Sequence, residues 1–323
     1  MPQQTIDRNQ FVNQFQSVLL LIAMAGVLGL TGFLMLGFWG FIGALGLLAF
    51  GVLFSRKASV AVILRMYKAS PINYQQAPQL VDLFDELCRR AGLQEAPHLF
   101  YIPSRLPNAF AVGTGESASV AVTDGLLRMM NSRELAGVLA HEIAHVVNGD
   151  IRVMTTADAI TRATSMISRM GLFAMMFSFG GMVFGSSTLN FLLGGLMMFF
   201  APTIVIMLQL AVARTREFNA DLGSAELTND PAGLASALSK LERPKPKGIL
   251  GRILNPGMRR KEPSMLRTHP PTEERVKRLM ELVQLAQKRK DTHIASGARR
   301  LAVEDRPRVR KRPRYHITTG IWR

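Results

Sequence analysis

Two stretches of this 323-residue chain contain no charged side chain, Asn9 to Ser55 and Met170 to Ala213, while polar and charged residues crowd the segments between and around them. With 48% hydrophobic and only 19% charged residues, the composition is unusual for a soluble protein, and both stretches read as membrane-embedded. The first, taken as one helix of about 45 residues at about 1.5 Å each, would be about twice the thickness of a hydrocarbon core of about 30 Å. It is therefore expected to fold back as a hairpin. One helix is placed near Val18 to Leu36 and the other near Phe38 to Phe54, turning around Gly37-Phe-Trp-Gly40, with Trp39 suited to the interface. Small residues at Ala25, Gly29, Gly40 and Ala44 would let the two backbones approach closely. The same argument divides the second stretch around Gly185 to Asn190. Its first half, Met170 to Phe184, is short for a full span, so either Arg169 snorkels or the helix begins earlier.

The N-terminal apolar run is far longer than the core of about 7 to 15 residues of a cleaved signal peptide, so it reads as a retained anchor. Arg56, Lys57, Arg65 and Lys68 follow the first hairpin, Arg162 and Arg169 precede the second, and Arg214 and Arg216 follow it, whereas neither turn carries charge. By the distribution of basic residues, both termini and all polar segments face the cytosol. The single cysteine, Cys88, permits no intramolecular disulfide and agrees with a reducing compartment. It shares a helical face with Leu80, Phe84 and Leu87, which favours packing over redox work.

Between Pro71 and Asp150 the pattern is mixed. An amphipathic helix ending near Gly92 precedes three strand-like runs, Leu99 to Ile102, Ala109 to Val112 and Ser119 to Val122, separated by Pro, Gly and Ser. A small sheet beside helices is expected. Asn131 and Glu134 then have the spacing of a capping box, opening a helix that should run to about Asn148-Gly149.

That helix contains His141-Glu-Ile-Ala-His145. Two histidines four residues apart project from one helical face and can ligate one metal ion, with Glu142 beside them as a base toward the water that the ion activates. A catalytic zinc site needs a third protein ligand and one open position. Glu217, in Arg216-Glu-Phe-Asn-Ala-Asp221 directly after the second apolar stretch, is a candidate for it. Asp221, one turn on, could accept a hydrogen bond from a ligand's other ring nitrogen. From these residues alone a solvated helix N-terminus with acidic side chains fits Glu217 and Asp221 equally well. His98, His293 and His316 match no ligand spacing.

HEIAHVVNGD, then REFNAD, then Thr268-His-Pro-Pro-Thr-Glu-Glu-Arg275, with an apolar hairpin between the first two, resemble the HtpX family of membrane-bound zinc metalloproteases. These are gluzincins related to the CaaX prenyl proteases. The resemblance covers roughly residues 15 to 285. It implies one Zn²⁺ per chain held by His141, His145 and Glu217, Glu142 as general base, Asp221 supporting a ligand, and His269 with Arg275 stabilising the oxyanion of the tetrahedral intermediate. Ala213 departs from the serine expected there. Asn108, Ala109, Phe110 and Ala111 resemble the family's strand before the active-site helix, where an extended substrate pairs through main-chain bonds. Read from the residues alone, the same run is equally a buried strand.

The expected architecture is α+β, a zincin-like domain with a small sheet and an active-site helix, interrupted by and anchored through two transmembrane helical hairpins. Residues 1–16 form a cytosolic N-terminus, 17–54 the first hairpin and 55–165 the first part of the protease domain. Residues 166–213 form the second hairpin, 214–287 the second part of the domain and 288–323 a basic, disordered tail. The tail has twelve basic and three acidic residues, nine of the chain's net +16. Its expected partner is anionic lipid headgroups, with nucleic acid or ribosome as the competing partner. The function implied is a multi-pass endopeptidase of the bacterial inner membrane, cleaving membrane proteins on the cytosolic side in protein quality control. A prenyl-protein protease is weaker because it would need more membrane helices. A non-enzymatic client-binding adaptor should have lost one of His141, Glu142, His145 or Glu217.

Overall fold

A computed structural model describes residues 3–57, 60–182, 188–242, 272–285, 287–288, 315–316 and 321–322. It divides into two compact units, Met1–Met280 and Glu281–Arg323. The first unit is mostly helical. Its elements are α1 (Gln3–Lys57), α2 (Val60–Met66), β1 (Ser70–Pro71), α3 (Pro78–Arg90), β2 (His98–Ile102), β3 (Ala109–Val112), β4 (Ser119–Thr123), α4 (Asp124–Met129), α5 (Ser132–Val147), α6 (Asp150–Met182), α7 (Thr188–Thr228) and α8 (Pro231–Glu242). A further helix, α9 (272–285), begins in this unit. In the second unit Tyr315–His316 and Ile321–Trp322 pair antiparallel.

Leu36 and Gly37 leave helical geometry within α1, Gly37 at φ +61°, a conformation a side chain would strain. Around this break the two arms fold back on each other. A Cβ built on Gly40 would collide with the carbonyl oxygen of Gly32, and one on Gly29 would lie 2.8 Å from the Phe41 ring. The expected hairpin and three of its four expected small residues are thus in place. Gly32 adds a contact, while Ala25 is only half-buried.

The helices of the second apolar stretch run beyond it, α6 taking the earlier start that its short first half left open. α6 starts at Asp150 and α7 runs on to Thr228, so neither helix breaks at the expected boundaries of 165/166 and 213/214. At about 1.5 Å per residue α7 is about 60 Å long, more than one hydrocarbon thickness. Among the described residues two helices, Phe15–Leu34 and Gly195–Thr228, are long and apolar enough to cross a membrane, and Leu36–Gly51 is a shorter apolar helix. α1, α6 and α7 pack mutually through Met24, Leu28, Ala44, Ile160, Val205 and Val212. Their outer faces carry exposed large apolar side chains such as Ile22, Trp39, Phe173 and Phe199. Within the bundle the Thr161 hydroxyl donates to Gln209 Oε1 at 2.7 Å, an interhelical bond of the kind that satisfies polar groups among apolar ones.

The sheet has the order β1-β2-β4-β3, with β2 and β4 parallel and the other pairs antiparallel. All five residues of β4 are buried. α2 covers one face through Leu64, against Ile102, Val112 and Ala121, with the Tyr67 ring tilted against that of Phe110. β3 is an edge strand beside α5. The three expected strands are present to within a residue. α3 ends two residues before Gly92 and buries Phe84, Leu87 and Cys88 as expected. Burial pushes the Cys88 thiol up to about 12, in keeping with a packing role.

Candidate metal centre

The capping box opens α5 as its sequence dictates: Asn131 Oδ1 accepts from the Glu134 amide and Glu134 Oε2 accepts from the Asn131 amide. Glu134 is itself buried and bound by Lys240 and Ser236 of α8, which ties the start of the helix to its neighbour. Further along, α7 comes close enough to α5 that a Cβ on Gly223 would sit 2.8 Å from the Ala144 methyl. Ser224 donates to the Gly137 carbonyl at 2.7 Å. This close crossing sets Glu217 opposite the two histidines.

One donor atom from each of His141, His145 and Glu217 lies within 4.8 Å of the others, and all three residues are buried. The two Nε2 atoms are 3.2 Å apart. Glu217 Oε2 is 3.4 Å from His141 Nε2, and Oε1 is 3.7 Å from His145 Nε2. Two imidazole nitrogens and a carboxylate converging without solvent form an electron-rich cluster that a divalent cation would stabilise, and two N donors with one O donor are the set catalytic zinc takes. The residues fit the metal.

Each histidine is held from behind. His141 Nδ1 lies 3.1 Å from Asp221 Oδ1, and Asp221 receives the Arg275 guanidinium through Nε at 2.8 Å and a terminal nitrogen at 2.6 Å. The other terminal nitrogen of Arg275 lies 3.0 Å from Glu217 Oε2. Burial works against the charged form of His141, but the bonds to Asp221 and Glu217 outweigh it and raise the group to about 10. Burial likewise acts to raise Asp221, but Arg275 and then His141 hold it below the usual carboxylate range. His145 Nδ1 meets Asp150 Oδ2 at 2.8 Å, and Asp150 Oδ1 accepts from Arg216 at 3.0 Å.

α9 is docked on α7 by more than Arg275. Arg278 stacks 3.6 Å from the Phe218 ring centroid, Glu274 pairs with Arg214 at 3.8 Å, and Leu279 is buried.

Of the residues singled out in sequence, His141, Glu142, His145, Glu217, Asp221 and Arg275 come together in one buried cluster on α5, α7 and α9. His269 lies outside the described residues. Asn108 to Ala111 lie on or beside β3, next to α5 rather than in the cluster. Neither Asp150 nor Arg216 was expected at the site, although both stand inside the quoted motifs and Arg216 is among the basic residues that flank the second hairpin. Asp150 follows the turn at Gly149 (φ +67°), which breaks the helical spacing from His145, and Arg216 meets it across 66 residues of sequence.

A helix bearing two histidines and a glutamate, completed by a glutamate from a second helix, defines a gluzincin-type metallopeptidase. The sequence model of peptidase family M48 matches residues 74–283. A "Protease HtpX homolog" of Salinibacter ruber is 39% identical over 286 residues, covering 84% of this chain and 96% of that protein. Another, of Persephonella marina, is 38% identical over 289 residues, covering 84% and 98%. The chain belongs to peptidase family M48 and is a homologue of the HtpX proteases, with its metal site at His141, His145 and Glu217. Among solved structures, S. mikatae Ste24p matches with a TM-score of 0.45 and 20% identity, over 84% of this chain and 66% of that one.

Proposed function

We propose that this metallopeptidase is a one-zinc endopeptidase of the bacterial cytoplasmic membrane that cleaves membrane proteins on the cytosolic side as part of protein quality control. The observation that carries the reading is the continuity of α6 and α7. Apolar α7 runs unbroken into the polar turn that holds the ligand Glu217, and α6 begins at Asp150, which is bound to the ligand His145; this favours a site close to a bilayer. Both hairpins are read as transmembrane, with both termini in the cytosol.

Bound zinc supplies a Lewis acid that polarises the scissile carbonyl and acidifies water. Glu142, on the turn between the two histidines, accepts the proton of the attacking water and returns it to the leaving amine. Arg275 keeps a positive charge beside the developing oxyanion while bound to Asp221 and Glu217, and His269 is assigned as its direct donor. Asp221 orients His141.

Substrate is assigned to β3. Just before the antiparallel ladder, Thr123 N–H donates to the Asn108 carbonyl and the Asn108 N–H donates to Thr123 Oγ1, which sets 108 on the hydrogen-bonded phase of the register. Alternation then turns the main-chain groups of Ala109 and Ala111 away from β4, toward an edge that no described strand covers. An extended peptide can pair there. The basic tail, mostly outside the described residues, is assigned to anionic headgroups.

The test is Glu142→Gln against wild type in detergent or nanodiscs, with casein and a membrane-protein substrate. The variant is expected to keep about one zinc per chain and to lose cleavage by at least about 10²-fold, the contribution expected of a general base. An active Glu142→Gln protein would sink the mechanism. A wild type that cuts casein but no membrane protein would sink the substrate assignment.

A further inference from the structure

We propose that Asp150 and Arg216 are positioning residues for the metal. Together they hold the His145 ring so that Nε2 faces the other ligands, and they lock the root of the second hairpin to the ligand set. The proposal rests on the zinc reading above.

The geometry is direct. An ionised carboxylate only accepts, so Asp150 Oδ2 at 2.8 Å from Nδ1 places the ring proton on Nδ1 and leaves the Nε2 lone pair toward His141 and Glu217. The second oxygen of Asp150 is held by Arg216 at 3.0 Å, and both side chains are buried, at 1% and 4% exposure. With one oxygen on the histidine and the other on the guanidinium, the carboxylate cannot rotate without breaking one of the two bonds. His141 has the corresponding arrangement in Asp221 and Arg275, so each metal-binding imidazole is backed by an aspartate and an arginine.

The two supports come from different places. Asp221 and Arg275 join α7 to α9. Asp150 is the first residue of α6, and Arg216 on α7 immediately precedes the ligand Glu217. One turn of α7 therefore supplies both a ligand and the anchor of another ligand's support. The bond between Asp150 and Arg216 closes the hairpin where its two arms meet the site, so a shift of α6 against α7 displaces His145 and Glu217 relative to each other.

A merely structural ion pair would stabilise the fold without setting metal affinity. The deciding measurement is zinc affinity of the full chain in detergent, by competition with a chromophoric chelator, with folding checked by gel filtration and thermal melting. Asp150→Ala is expected to lose about 10- to 100-fold in affinity, the range typical of residues that orient a metal ligand. It should also shift the visible absorption of the cobalt-loaded protein. Arg216→Met is expected to lose affinity in the same direction, with part restored in Arg216→Lys. Lys240→Met, which removes the partner of Glu134 at the far end of α5, should lower the melting temperature and leave zinc affinity unchanged. Zinc affinity of folded Asp150→Ala within about threefold of wild type would overturn the proposal, that range being far below the expected loss. Should Asp150→Ala not fold, Arg216→Met and Arg216→Lys decide: wild-type affinity in both overturns it, and a loss in the first restored in the second supports it. A wild-type chain that binds no zinc overturns the zinc reading along with this one.

Discussion

The two hairpins differ in what their helices do after leaving the apolar region. The first ends at Lys57, and among the described residues none of its side chains takes part in the metal cluster. The second begins at Asp150, bound to His145, and α7 continues through Arg216, Glu217 and Asp221. One hairpin is an attachment; the other is part of the site's scaffold. A helix that continues into a site transmits its rotational phase, about 100° per residue, whereas a helix followed by a separate segment does not.

The sharpest way to break this contrast is a one-residue insertion. An alanine inserted after Val212 turns Glu217 about 100° away from the histidines, and zinc content and cleavage should both be lost. The same insertion after Phe50 should leave zinc at one per chain. Metal analysis of both purified proteins checks this, and an insertion after Val212 that kept zinc would show that α7 does not carry the ligand rigidly.

A smaller effect compares glycines. Gly223→Val forces a side chain against Ala144 and should destabilise the fold by about 1–3 kcal/mol through overpacking. Gly43→Ala, in the second arm of α1 with nothing within 4 Å of the new methyl, should leave the melting temperature unchanged or slightly raised. Denaturation in detergent micelles measures both. Equal losses would mean that the α5–α7 crossing tolerates a side chain as readily as an open position of α1.

The smallest effect belongs to Cys88, which packs without reacting. Its folded-state value of about 12 lies above the ordinary 9.0, so folding favours the neutral thiol. That contribution is complete below pH 9 and is lost as pH rises through 12. Iodoacetamide at pH 8 should therefore modify the folded protein far more slowly than the denatured one, and Cys88→Ala should leave cleavage unchanged. Rapid labelling of the folded chain would place Cys88 at the surface.

What was legible in the sequence was local. The capping box at Asn131 and Glu134, the i,i+4 histidines and the strand runs each depend on neighbours within one or two turns, and each appears where expected. The first hairpin was also legible, because Gly37 marks the break and length alone forbids one span. The uninterrupted course of α6 and α7 was not, since a helix can pass from apolar to polar surroundings without any change in its backbone bonds. Nor was the sheet order: β2 pairs with β4 across the intervening β3, a choice made by packing against α2 and α5. Asp150 and Arg216 escaped for a related reason. Buried ions select partners through space, and here the partners are separated by the whole second hairpin.

The edge of β3, which no described strand covers, has a consequence for the timing of cleavage. If substrate pairs there as proposed, main-chain pairing would ask of it only a short extended stretch whose own hydrogen bonds are broken, with the small side chains of Ala109 and Ala111 demanding little of its sequence. Where opening is fast relative to cutting, the rate follows the fraction of time the victim spends locally unfolded. Each 1.4 kcal/mol of local stability then lengthens a protein's survival about tenfold. A well-assembled membrane protein would outlast its damaged copy without the protease distinguishing them by sequence, because the clock lies in the substrate's own folding equilibrium.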